Sequence, residues 1–258
     1  MLNKHLILYF FSFFLIDTHF KRGDFYPGVS QFVLELSVAN RNTKNPPKVA
    51  VLTARAREFL FALALKPADK LCTAFRRIGL QNGLSDWGIG EVYYGSVVEW
   101  ILQNRKGLRK FNNFEIMLRK DAIEGVRDQY VLIGDTGEKD EDAGLRIARL
   151  YPQRIKAVFL HAVTGKKDRS SFIVPEDKVV NGIPFLYFQT YVGAAVKAKN
   201  IGLLDASAVE RVIRQARIDL SAKEAKSVDS TRWIELERDI ALAKKRVDSK
   251  SFLFSLKK

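Results

Sequence analysis

The sequence predicts an α/β fold built on a mainly parallel sheet with helices on both faces. Short apolar runs of strand length alternate with segments of helical periodicity, which is the pattern of crossover units. One such run, Tyr130 to Ile133, passes through Gly134 straight into acids at Asp135, Glu138, Asp140, Glu141 and Asp142, as a buried strand does when it ends in a polar loop. Size is the third observation: 258 residues of which 47% are hydrophobic can bury a full core, and one core with a C-terminal extension is the simplest arrangement.

Taken in order, the strand candidates are Phe13 to Ile16, Lys48 to Leu52, Gln129 to Ile133, Ala157 to His161 and Phe185 to Thr190. Between them, Val29, Phe32, Val33 and Leu36 share one helical face. Leu145, Ala148 and Arg149 repeat the pattern before Pro152 ends it. "FQTYVGAAVKAKNIGLL" supplies a last strand and helix. From Asp205 onward two amphipathic helices follow, with Val209, Val212, Ile213, Ala216 and Leu220 on one apolar face and Trp233, Leu236, Ile240, Ala243 and Val247 on the next. The organisation is therefore an N-terminal stretch over 1–16, an α/β domain over 17–204 and C-terminal helices over 205–258 packed on its core. The connections Arg41 to Pro47 and Gly165 to Ser171 are too short to separate domains.

The stretch Leu6 to Ile16 has three readings, and all stay open at the level of sequence. It is similar to the apolar core of a signal peptide, although no small-x-small cleavage site follows. It is equally a buried first strand, or a pyrimidine-rich stretch translated across a mistaken exon boundary, given the codons that Phe10, Phe11, Ser12, Phe13 and Phe14 require. A helix of this length does not span a bilayer, which takes about 20 residues.

A formal charge of +14, from 43 Lys+Arg against 29 Asp+Glu, favours anionic partners. Zinc-finger spacing, aromatic RNA-binding motifs and long basic helices are absent, so no nucleic-acid partner is expected. The single cysteine, Cys72, excludes an intrachain disulfide and a Cys cluster for zinc, and suits a reducing compartment.

Four pieces of sequence carry chemistry. Asp135 and Asp140 flank a Gly-containing turn at a strand end, where two carboxylates can share one Mg²⁺; taken alone, such a loop is usually just solvated. Thr53 ends "KVAVLT", and its hydroxyl with the backbone N–H groups of Ala54 and Arg55 suits a phosphoryl oxygen, or simply caps a helix. Lys110, ahead of a helix in "LRKFNNFEIML", offers an ammonium to a phosphate, or to solvent. Asp17 and Thr18 directly follow the first apolar run.

In chain order these pieces resemble the haloacid dehalogenase superfamily, whose motifs are Asp-x-Asp-x-Thr after a strand, a strand-terminal Ser or Thr, a Lys, and Gly-Asp with a further acid. More closely, "FYPGV", "VLTAR" and above all "VLIGDTGEKDEDAGLRIARLYPQRIKAVFL" look like the catalytic domain of the fungal actin-patch-associated phosphatidate phosphatase family, over roughly Asp17 to Val163.

The resemblance implies a Rossmann-like haloacid dehalogenase fold with little or no cap. It also implies a Mg²⁺-dependent phosphatase that hydrolyses a phosphomonoester, phosphatidate to diacylglycerol in that family, through an aspartyl-phosphate. Thr53 with Ala54 and Lys110 would bind the phosphoryl group, Asp135 and Asp140 would serve Mg²⁺, and Glu138 and Lys139 would shape the loop. Anionic phospholipid at a membrane surface would be the partner, and the location cytoplasmic and peripheral to membranes. Setting the family's final Asp-Thr on Asp17 and Thr18 puts Phe14 at the nucleophile and Ile16 at the acid/base. Neither residue can do that chemistry, so the nucleophile is missing from this chain. Either a mistaken exon boundary has removed it from an enzyme, or the protein is a pseudophosphatase that binds phosphate or anionic phospholipid without hydrolysis.

Overall fold

The computed structural model describes residues 5–11, 26–39, 46–56, 66–95, 106–137, 139–163, 173–224 and 233–243. They form three layers around one seven-stranded sheet. In chain order the elements are β1 (His5–Phe11), α1 (Val29–Val38), β2 (Val49–Ala56), α2 (Lys70–Gln81), β3 (Ile89–Gly95), α3 (Lys106–Ile123), β4 (Gln129–Asp135) and α4 (Asp140–Leu150). A 3-10 turn at Pro152–Arg154 leads into β5 (Ile155–His161), β6 (Lys178–Val180), β7 (Ile183–Phe188), α5 (Tyr191–Asn200) and α6 (Ala206–Glu224), followed by α7 over 233–243.

The strand order is β3-β2-β1-β4-β5-β7-β6, parallel throughout except for β6, which runs antiparallel to β7 at the edge. The chain steps outward from β1 through β2 to β3, then returns to the other side of β1 with β4. That reversal makes the carboxyl ends of β1 and β4 the switch point, where open α/β sheets leave a crevice for ligands.

Both faces of the central strands are covered. Along β4, Val131 and Ile133 face a cluster with Phe32, Phe75, Val192, Val212 and Ile240, while Leu132 faces the opposite cluster with Phe114, Met117 and Ile147. Burial on both faces is why β4 and β5 read as unbroken apolar runs. β3 gave no such signal because it is an edge strand whose residues Ile89 to Tyr94 are exposed or half-buried.

Several expectations shift. The first strand was placed at Phe13 to Ile16, which lies outside the described residues; the strand between β2 and β4 is His5–Phe11. Lys110 is not ahead of a helix but inside α3. Thr190 does not extend β7: it caps α5, its Oγ1 accepting from Gly193 N–H at 3.1 Å. On α4 the core face is Ala143, Gly144, Ile147 and Ala148, and Arg149 is exposed.

On α1 the expected face is buried, yet so are Ser30, Gln31, Glu35 and Ser37 on the other side. Gln31 accepts from Asn82 Nδ2 just past α2 at 3.4 Å, and Glu35 is met from α6 by Arg211, with Nε–Oε1 at 2.7 Å and Nη2–Oε2 at 2.8 Å. Gly28, at φ +82°, turns the chain into α1 so closely against α6 that a Cβ would lie 3.0 Å from Ala216 Cβ. Val209, Val212, Ala216, Leu220, Leu236, Ile240 and Ala243 join the same apolar cluster as Phe32 and Phe159. Among the described residues, no helix is long and apolar enough to cross a membrane.

Candidate functional site

The switch point gathers most of the residues singled out in the sequence. β4 ends at Asp135, and the loop beyond it folds back on the sheet. Thr136 N–H donates to His161 O at 3.0 Å, and Thr136 Oγ1 accepts from Val163 N–H at 3.1 Å, which pins the loop to the end of β5. Asp135 Oδ1 accepts from Gly137 N–H at 2.8 Å, closing an Asx-type turn. Lys139 takes a left-handed backbone, φ 64°, and hands the chain to α4. Glu138 lies outside the described residues.

That turn drives Asp140 inward. It is fully buried against Gly134, where a Cβ would lie 2.6 Å from Asp140 Cβ, so only glycine fits there. Asp140 Oδ2 accepts from Asp135 N–H at 2.9 Å, and Oδ1 takes the ammonium of Lys110. Lys110 is itself buried, 1% exposed, so the two make a buried ion pair. Burial pushes the Asp140 carboxyl up to about 7, against the pull of Lys110 and with the help of the charge on Asp135.

Thr53 is buried but does not end β2, which continues three residues beyond it to Ala56. Its carbonyl accepts from Asn113 Nδ2 at 2.9 Å, and the same amide donates to Tyr93 O on β3 at 3.0 Å. Asn113 lies one turn beyond Lys110 on α3, so one helix carries contacts to both Asp140 and Thr53.

The β1 register decides what stands beside them. The β1 residue level with Thr53 is Phe11, and on the other side of β1 the pairing with β4 runs to Tyr9 opposite Ile133. Phe14, Ile16, Asp17 and Thr18 lie outside the described residues, and of Ala54 only the backbone is described, within β2.

Among the described residues no group of three or more His, Cys, Asp or Glu side chains forms a metal centre. The donors present are carboxylate oxygens, which match a hard cation such as Mg²⁺. Asp135 fits a ligand role in position and chemistry, whereas both oxygens of Asp140 are already engaged by Lys110 and Asp135 N–H.

Sequence reasoning missed Asn113, whose partners are backbone carbonyls of distant strands and leave no mark in local pattern. It also missed His161, level with Asp135 on β5, with its ring Nε2 2.6 Å from Gln189 O and its face stacked on Tyr191.

What these features define at the level of class is an α/β protein with a buried acid–base pair at its switch point. Comparison of the chain with family models, with curated proteins and with solved structures finds no match.

Proposed function

We propose that this chain carries the phosphate pocket of a Mg²⁺-dependent phosphatase of the phosphatidate phosphatase type, on a haloacid dehalogenase-like fold, whose aspartyl nucleophile is absent. The observation that supports it most is the Lys110–Asp140 pair, held at the carboxyl ends of the strands that flank β1 and joined through α3 to Thr53. In this reading Thr53, with the backbone of Ala54, binds the phosphoryl oxygens. The Lys110 ammonium, kept in place by Asp140, neutralises their charge, and burial strengthens that attraction. Asp135 holds the metal, and Asp140 acts on it only through Lys110 and the Asp135 N–H. A bound Mg²⁺ would supply further positive charge to the phosphoryl group. The lipid substrate, the membrane-surface partner and a cytoplasmic, peripheral location belong to the same proposal.

A second reading, a pseudophosphatase that binds phosphate or anionic phospholipid without hydrolysis, is favoured by one observation. Phe11 is the β1 residue level with Thr53, and phenylalanine has no nucleophile.

Calorimetric titration of inorganic phosphate, with Mg²⁺ present, tests the pocket. The unmodified chain should bind phosphate, Thr53→Val and Lys110→Met should each bind at least about tenfold more weakly, about 1.4 kcal/mol, and phosphomonoesters should not be turned over. Absence of phosphate binding by the unmodified chain would sink the pocket, and Mg²⁺-dependent turnover would show that the nucleophile is present after all.

A further inference from the structure

We infer that Asn113 is a positioning residue for the phosphoryl pocket, acting through the backbone of Thr53; this deepens the phosphatase-type reading and rests on it. The pairing of β2 with β3 slips at the carboxyl end. Thr53 faces Tyr94, and the next pair is Ala56 with Gly95, so β2 advances three residues while β3 advances one. A ladder of regular hydrogen bonds is interrupted at such a slip. The buried Asn113 amide bridges the two strands just before it, bonding Thr53 O at 2.9 Å and Tyr93 O at 3.0 Å from a single nitrogen. One side chain thereby fixes the separation of two strand ends.

The slip has a chemical consequence. The residues left without an opposite number on β3 are Ala54 and Arg55, immediately after the hydroxyl of Thr53. Backbone N–H groups turned out of a ladder at successive residues are suited to an oxyanion. Asn113 sets where that hydroxyl and those N–H groups stand relative to the Lys110 ammonium, one turn earlier on the same helix. It touches no phosphate itself. Leucine, of similar volume, would remove both Asn113 bonds, and aspartate would set lone pairs against the two carbonyls.

Inorganic phosphate titrated into the unmodified chain, Asn113→Leu, Asn113→Asp, Thr53→Val and Asp121→Asn, each well below its melting temperature, tests the inference. Asp121 is the control: it holds Tyr130 and Arg154 in a separate hydrogen-bonded centre. Loss of a buried hydrogen bond there should lower the melting temperature and leave phosphate affinity unchanged. The Asn113 variants should bind phosphate at least about tenfold more weakly, the factor that corresponds to about 1.4 kcal/mol. If Asn113→Leu does not fold, Asn113→Asp, which matches asparagine in size, carries the test. An Asn113 variant that binds phosphate as tightly as the unmodified chain, while Thr53→Val is weakened, overturns the inference and spares the pocket. Phosphate binding that is absent, or indifferent to Thr53→Val, overturns the pocket and the inference with it.

Discussion

Gly134 and Asp140 are in van der Waals contact across the turn after β4, so close that a Cβ on residue 134 would lie 2.5 Å from Asp140 Oδ2. Gly134→Ala should therefore displace the carboxylate from Lys110 rather than merely crowd a loop. Overpacking of this kind costs about 1–3 kcal/mol, which urea denaturation will show as a lower midpoint.

The ion pair itself predicts strong coupling. Asp140→Asn keeps one oxygen and turns an amide NH2 either on the Lys110 ammonium or on Asp135 N–H, so one buried contact becomes donor against donor, and breaking a buried pair costs about 3–5 kcal/mol. Lys110→Met leaves a buried carboxyl that protonates instead, a smaller loss. The double variant should be destabilised by less than the sum of the two, by about 1–3 kcal/mol, as contacting pairs are. Additive losses in a double-mutant cycle would mean that the two residues do not meet.

Asp140 also predicts a pH dependence. Its carboxyl is pushed up to about 7 in the folded protein from an ordinary value of 3.8, by burial first. Between those two values the folded state holds a proton that the unfolded chain has released. Its contribution to stability is thus full below about pH 4, declines as the pH rises, and is gone above about pH 7. The stability of the unmodified chain minus that of Asp140→Asn, measured by urea titration from pH 4 to 8, should fall across this window and flatten beyond it.

Glu35 is buried under α6 and Arg211 is its partner there. Arg211→Ala should cost about 2–3 kcal/mol, somewhat less than for a fully buried pair because the arginine is half in water. Glu35→Gln in the Arg211→Ala background should recover part of it, since an amide tolerates burial better than an unpaired charge.

The proposed lipid partner predicts salt-sensitive adsorption. With a charge of +14, the chain should co-sediment with phosphatidate-containing vesicles at low salt and release as salt rises, each basic residue at the surface contributing about 1 kcal/mol. Lys166, Lys167 and Arg169, outside the described residues, are the cluster to reverse to Glu. No co-sedimentation at low salt would remove the membrane from the proposal.

What the sequence disclosed follows from where each element lies. Gln129 to Ile133 and Ala157 to His161 were legible because strands buried on both faces leave continuous apolar runs. β3 was not, since an edge strand containing Gly90 and Glu91 has no such run. α3 was expected only beyond Lys110, and its first turn was missed because Arg109, Lys110 and Asn113 are buried polar residues that interrupt the apolar face formed by Phe111, Phe114 and Met117. Asp135, Asp140, Thr53 and Lys110 were found through motif order. The Asp140–Lys110 contact could not be, because it depends on a left-handed Lys139 aiming one side chain at a helix thirty residues earlier.

The sheet order sets a timetable for folding. β1, made first, acquires its second neighbour only when β4 has been synthesised, and Glu35 meets a counter-charge 176 residues further along the chain. Contacts of such sequence separation must close long loops before they return any stabilisation, which makes for a slow folder. During translation α1 therefore leaves the ribosome long before α6, with its apolar face and Glu35 both still without their final partners.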